Sequence, residues 1–191
     1  MKVEKRIFKT ELRKTEAEKD CRNIAGYGSV FGTESEDLGG FREIIAEGAF
    51  NDVLKDDVRA LFNHDSNLIL GRTTASTLKL MIDENGLGYE VDMPNTSYAN
   101  DLLISIERGD VTQSSFAFTV EDDEWLERDG KIIRVVNKVA RLYDVSPVTY
   151  PAYPDATVAA RSLETYLHKV QCRSAREKVL SRIKTPSWSS I

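Results

Sequence analysis

Ser76-Thr-Leu-Lys-Leu-Met-Ile82, then Asp83-Glu-Asn-Gly86, then Leu87-Gly-Tyr-Glu-Val-Asp-Met93 is the stretch whose reading decides the fold class. Two short runs with apolar residues at alternate positions flank a turn centre, and Asn85-Gly86 offers the positive φ that a tight hairpin uses. A second pair lies downstream: Thr112 to Leu126, the turn Arg128-Asp129-Gly130, and Lys131 to Val139. Asp-Gly is again a hairpin signal, and two hairpins predict an antiparallel sheet. Working outward, Asn23 to Phe31 and Val58 to His64 read as further strands, and Ala140 to Val148 extends the sheet until Pro147 and Pro151 stop it. Gly48 to Leu54 reads as one or two helical turns. Ser97 to Arg108 reads as a helix capped by Ser97, with Leu102, Leu103 and Ile106 on one face and Gly109 at its stop. Many short strands and few helices predict a mainly β (α+β) chain, a closed or nearly closed antiparallel barrel with a few peripheral helices.

Composition narrows the function classes. At 191 residues, 41% hydrophobic and 30% charged, the chain is long enough for a domain with a sizeable core. No run approaches the roughly 18 apolar residues of a spanning helix, and the first twenty residues are too charged for a secretory leader. A soluble intracellular protein is expected. Cys21 and Cys172 have no CxxC or CxxH spacing around them, which argues against a disulfide framework or a zinc site. A net charge of −5 gives no basic field for gripping nucleic acid. That charge is uneven: from Arg161 onward seven basic residues face two acidic ones, so the tail carries +5 and the rest −10. We expect a body over residues 1–160 and a basic tail over 161–191. The tail is helical where Leu163, Tyr166, Leu167 and Val170 form a stripe, and partly disordered at its polar end, Lys184-Thr-Pro-Ser-Trp-Ser-Ser190.

Gly26-Tyr-Gly28-Ser-Val-Phe-Gly32 looks at first like a phosphate loop, but its spacing is GxGxxxG and no GK[ST] follows. Close backbone packing explains these glycines better. The chain has two histidines, and any imidazole chemistry must use one of them. His168 sits among the basic residues of the tail and reads as solvated. His64 ends the run Val58-Arg-Ala-Leu-Phe-Asn63, where a side chain is held while its tip stays open; it is either a general base or a hydrogen-bonded structural histidine. One histidine beside Asp65 is too few ligands for a metal. Along Thr112-Gln-Ser-Ser-Phe-Ala-Phe-Thr-Val120, the strand period puts Ser114, Phe116, Phe118 and Val120 on one face and Ser115, Ala117 and Thr119 on the other. Ser114 points with the core. Ser115 points to a wet face, either as a nucleophile or as an ordinary surface serine. Asp144 lies among Leu142, Tyr143 and Val145, where a carboxylate needs a partner, either a histidine or a base such as Arg141.

The order of these segments resembles the tailed-phage prohead proteases, capsid-maturation serine proteases related in fold to the herpesvirus assemblin proteases. The resemblance runs from about Ile24 to Arg161. Its carriers are Gly26-Tyr-Gly-Ser-Val-Phe31, Glu47-Gly-Ala-Phe50, Phe62-Asn-His-Asp65, Leu70-Gly-Arg-Thr73, Gly109-Asp-Val through Ser115-Phe-Ala-Phe118, and Asp144-Val-Ser-Pro-Val-Thr-Tyr-Pro-Ala152. It implies a barrel of herpesvirus-protease type, with His64 as the family's histidine, Ser115 as its nucleophile and Asp144 in its acidic position. Two departures stand out: Gln113-Ser114 replaces the glycine or small hydrophobe common before the serine, and the acidic position is often glutamate. Backbone N–H groups are the expected oxyanion donors, with Arg72 and Arg141 as side-chain candidates. The resemblance implies no cofactor. It implies as partners the scaffold and major capsid protein of a tailed phage, together with self-association, and neither nucleic acid nor membrane. The setting would be the assembling prohead in the host bacterial cytoplasm. An inactive capsid assembly or scaffold protein and a β-barrel binding module are the alternatives.

Overall fold

The computed structural model describes residues 3–8, 12–14, 22–150 and 156–183. Its strands are β1 (Glu4–Phe8), β2 (Arg13–Lys14), β3 (Asn23–Val30), β4 (Arg42–Ile45), β5 (Arg59–Phe62), β6 (Asp65–Arg72), β7 (Leu78–Ile82), β8 (Gly86–Asp92), β9 (Gln113–Arg128) and β10 (Lys131–Val148). The helices are α1 (Ser97–Glu107) and α2 (Ala156–Ile183), with a 3-10 turn at Thr73–Ala75. Cys21, Pro151 and the polar stretch from Lys184 lie outside the described residues.

Both expected hairpins are present, closed by different chemistry. β9 and β10 meet through Asp129 and Gly130, both at positive φ (54° and 72°), so this Asp-Gly works as its sequence says. In the β7–β8 hairpin neither Asn85 nor Gly86 has positive φ. There the Asp83 carboxylate accepts the backbone N–H groups of Asn85 (2.8 Å) and Gly86 (3.1 Å). Gly86 is required for space instead, since a Cβ would lie 2.0 Å from the Ser29 carbonyl oxygen of β3. Gly48 to Leu54 is a string of turns with bonds such as Asn51 N–H to Gly48 C=O, and no helix forms. α1 is capped by Thr96 and not by Ser97, which is its first helical residue, and it buries Ala99, Leu102, Leu103 and Ile106; the chain leaves it through Gly109 at φ 80°.

Hydrogen bonding joins the strands into two sheets, one ordered β1-β9-β10-β5-β6 with β4 also on β10, the other β2-β3-β8-β7. Most pairs are antiparallel, but β4 and β5 run parallel to β10, so the larger sheet is mixed. β3 lies against β1 and β9, and β6 against β7 and β8. The result is a mainly β fold with two helices, in which, among the described residues, the two sheets meet by packing and share no strand ladder. Phe50, Phe116, Phe118, Leu142 and Val145 are fully buried between them, with Phe116 and Phe118 stacked at 4.6 Å. Each such side chain contributes about 1.5–3 kcal/mol by leaving water. Gly28 of β3 would place a Cβ 3.2 Å from Val145, which is the close packing expected of the glycine run.

A satellite cluster forms where α2 meets the β9–β10 arm. Leu163 packs with Leu38 and Phe41, and Tyr166 stacks on Trp125 at 5.0 Å. Leu167 and Val170 of the same helix are exposed, so only part of the apolar stripe is used by the body.

Candidate active site

Three loci converge at one end of the larger sheet, two of them placed by a local departure from regular structure. His64 lies not in a strand but in the two-residue connection between β5 and β6, whose flanks Phe62 and Asp65 are paired. Asn63 and His64 both have positive φ, 54° and 58°. For a non-glycine residue that conformation costs about 1–2 kcal/mol, so the neighbouring structure must hold it. Asn63 supplies the hold: its N–H donates to Pro147 C=O (3.0 Å), its side-chain amide donates to the Thr149 hydroxyl (3.2 Å), and its Oδ1 accepts Thr149 N–H (2.9 Å). The histidine turn is thereby fastened to the end of β10.

Asp144 is aimed by a β-bulge. Leu142 pairs with Phe118 and Val145 with Phe116, so three residues of β10 span two of β9. Strict alternation from Leu142 would turn Asp144 toward the phenylalanines. The extra residue instead sets Asp144 opposite Ala117 and Ser146 opposite Ser115, on the face away from the core aromatics.

Ser115 occupies the face its periodicity assigns, and Ser114 points the other way to share a 2.7 Å hydrogen bond with the Tyr89 hydroxyl. The face of Ser115 is not wet, however: Ser115 is 0% exposed. β1 is paired along β9 there, and the Ser115 hydroxyl is 2.8 Å from the Arg6 carbonyl, to which it can donate. A charged residue next to a strand edge reads as solvent-facing in sequence, so this cover was not legible.

The three groups form a chain. His64 Nδ1 is 2.6 Å from Asp144 Oδ1, and His64 Nε2 is 2.7 Å from Ser115 Oγ. An ionised carboxylate only accepts, so Nδ1 carries the proton in neutral His64 and Nε2 faces Ser115 as an acceptor. The single hydroxyl proton of Ser115 therefore has two acceptors in reach, the imidazole and the Arg6 carbonyl. The His64 side chain is 5% exposed and that of Asp144 10%. Of the expected Asp144 partners, the histidine is the one bonded to it. A further residue, Ser146, donates to Asp144 Oδ1 at 2.6 Å and is fully buried. Sequence reading passed over it, although Asp144-Val-Ser146 carries its signal, two polar side chains two apart on one strand face.

Neither arginine considered as an oxyanion donor lies in this chain. Arg72 makes two 2.7 Å bonds to Asp57, which hold the Asp57 carboxyl well below the usual carboxylate range. Arg141 lies with its guanidinium 4.8 Å over the Tyr143 ring. It pairs with Thr119, four residues along β9 from Ser115, or about 13 Å by strand rise.

Beneath β1, on the opposite face from Ser115, is a buried ionic cluster. Arg6 bonds Glu43 at 2.7 Å and also Glu4; Arg134 bonds Glu4 (2.8 Å), Glu43 (3.1 Å) and Asp123 (2.6 Å). Burial works against the charge on Arg134, but Glu43 and Glu4 outweigh it and push its pKa up. The cluster ties β1 to β4, β9 and β10.

Residues 8–169 match the family model of the Caudovirus prohead serine protease. Among solved structures, the chain is similar to the bacteriophage T4 capsid assembly protease at 12% identity, covering 76% of this chain and 98% of that one, with a TM-score of 0.41. No curated protein matches it in sequence.

Proposed function

We propose, from the premise that the chain belongs to the Caudovirus prohead serine protease family, that it is a serine endopeptidase with Ser115, His64 and Asp144 as its triad. The observation that carries this reading is His64 bridging Ser115 and Asp144 at 2.7 and 2.6 Å. In the acylation step Ser115 Oγ attacks the scissile carbonyl carbon and its proton passes to His64 Nε2. Asp144 holds the imidazole in that tautomer and balances the imidazolium. The proton then goes to the leaving amine as the peptide C–N bond breaks, and water repeats the sequence to free Ser115. Backbone N–H groups serve the oxyanion. No cofactor enters these steps. Because Ser115 is buried and bonded toward Arg6, a substrate carbonyl reaches it only after β1 or its surroundings shift.

The substrates in this reading are scaffold protein or the scaffold-like part of the major capsid protein, and the chain itself, inside the assembling prohead in the bacterial cytoplasm. A barrel of herpesvirus-protease type, and a division near residue 160 into a protease body and a basic tail, belong to the same reading. The test is co-expression with a capsid and scaffold gene pair, followed by intact-mass measurement. Ser115→Ala should abolish processing of these proteins and any self-cleavage. Processing that survives Ser115→Ala removes Ser115 as the nucleophile, and wild-type protein that leaves every mass unchanged favours the inactive assembly protein instead.

A further inference from the structure

We infer that Ser146 is a positioning residue of the active site, acting on the reaction through Asp144; this rests on the triad reading above. The Ser146 hydroxyl donates to Asp144 Oδ1 at 2.6 Å, the same oxygen that faces His64 Nδ1. Two donors on one oxygen fix the carboxylate about its terminal torsion, which is otherwise broad and soft for aspartate. With that torsion fixed, the ring of His64 is fixed too, and Nε2 is kept on line with Ser115. Strand alternation puts Asp144 and Ser146 on one face, and the bulge after Leu142 makes it the face of Ser115 in the β9–β10 register.

Among the described residues, the neighbouring polar groups are engaged elsewhere. Arg59, opposite Asp144 in the β5–β10 register, donates to Asp57 at 3.2 Å, and Asp65, next to His64, accepts from Asn67 at 2.8 Å. Ser146 is 0% exposed, so its hydroxyl is not replaced by bulk water when removed. A hydrogen bond to a charged group of this kind is worth about ten- to a hundredfold in a rate that depends on it.

The experiment measures the rate at which a fluorophosphonate probe labels Ser115, in four proteins: the full chain, Ser146→Ala, Asp144→Asn and the double variant. Ser146→Ala should slow labelling ten- to a hundredfold. In the Asp144→Asn background the same change should slow it less than threefold, because the group through which Ser146 acts is already altered. Equal losses in both backgrounds would show a packing role and overturn the inference, as would labelling of Ser146→Ala within threefold of the full chain. A wild-type chain that is not labelled at Ser115 overturns the triad reading itself, so the two failures are told apart. If Ser146→Ala does not fold, Ser146→Cys, closer in volume and a weaker donor, goes through the same cycle with the same outcomes.

Discussion

Two adjacent serines with opposite orientations make the sharpest residue-scale contrast. Ser115 faces His64, whereas Ser114 is fully buried against Tyr89, whose phenol is pushed up by burial and so stays a neutral hydroxyl. Ser114→Ala removes that partner and leaves the Tyr89 hydroxyl unpaired in the core, a loss of about 1–3 kcal/mol of stability. Labelling of Ser115 by a fluorophosphonate should stay within threefold. Urea denaturation and labelling on the same preparation separate the effects: a stable but unreactive Ser114→Ala would reverse the assignment of the two serines. His64 shows why a single residue can be placed by type and not by backbone. It stood out as one of two histidines, but its positive φ is held where Asn63 grips Pro147 and Thr149, 84 and 86 positions after Asn63 in sequence.

At the scale of elements, β1 is the decisive piece and the one least visible in sequence. Glu4 and Arg6 alternate with Lys5, a pattern that reads as a charged surface segment, yet both are buried. They are tolerated inside because Glu43 and Arg134 arrive from β4 and β10 to pair with them. Breaking such a cluster by removing one partner typically costs about 3–5 kcal/mol. Glu43→Ala should therefore lower stability by that amount in urea denaturation, since Arg6 and Arg134 both lose a carboxylate. It should also loosen β1 beside Ser115. In a Ser115→Cys background, maleimide should modify position 115 at least tenfold faster once Glu43→Ala is added. An unchanged alkylation rate in a measurably destabilised protein would mean that β1 is not the cover that matters.

For the whole molecule, the question is what α2 and its charge add. Leu163 and Tyr166 rest on Phe41 and Trp125 in a cluster separate from the main core, and the helix beyond them leaves Leu167 and Val170 exposed. Ending the chain after Arg161 uncovers Trp125 without opening the core around Phe116. Peptide hydrolysis should stay within about tenfold of the full-length rate, a barrier change near 1.4 kcal/mol. Incorporation into proheads should fall much further, since a segment of charge +4 is lost from a remainder of charge −9. Normal incorporation of the shortened chain, or loss of both folding and hydrolysis, would show the tail to be part of the core instead. By itself the sequence determined the hairpins, the opposite faces of Ser114 and Ser115, and the residue types of the site, because these follow from a two-residue period and from turn chemistry that act over a few positions. Only the tertiary structure decided that β1 pairs beside Ser115 and offers it the Arg6 carbonyl, that β4 and β5 join β10 in parallel, that a bulge turns Asp144 and Ser146 to the face of Ser115, and that Arg72 is held by Asp57. Each of these depends on a partner brought from far along the chain, and a register shifted by one residue reverses a side chain's face without changing the local pattern from which that face is read.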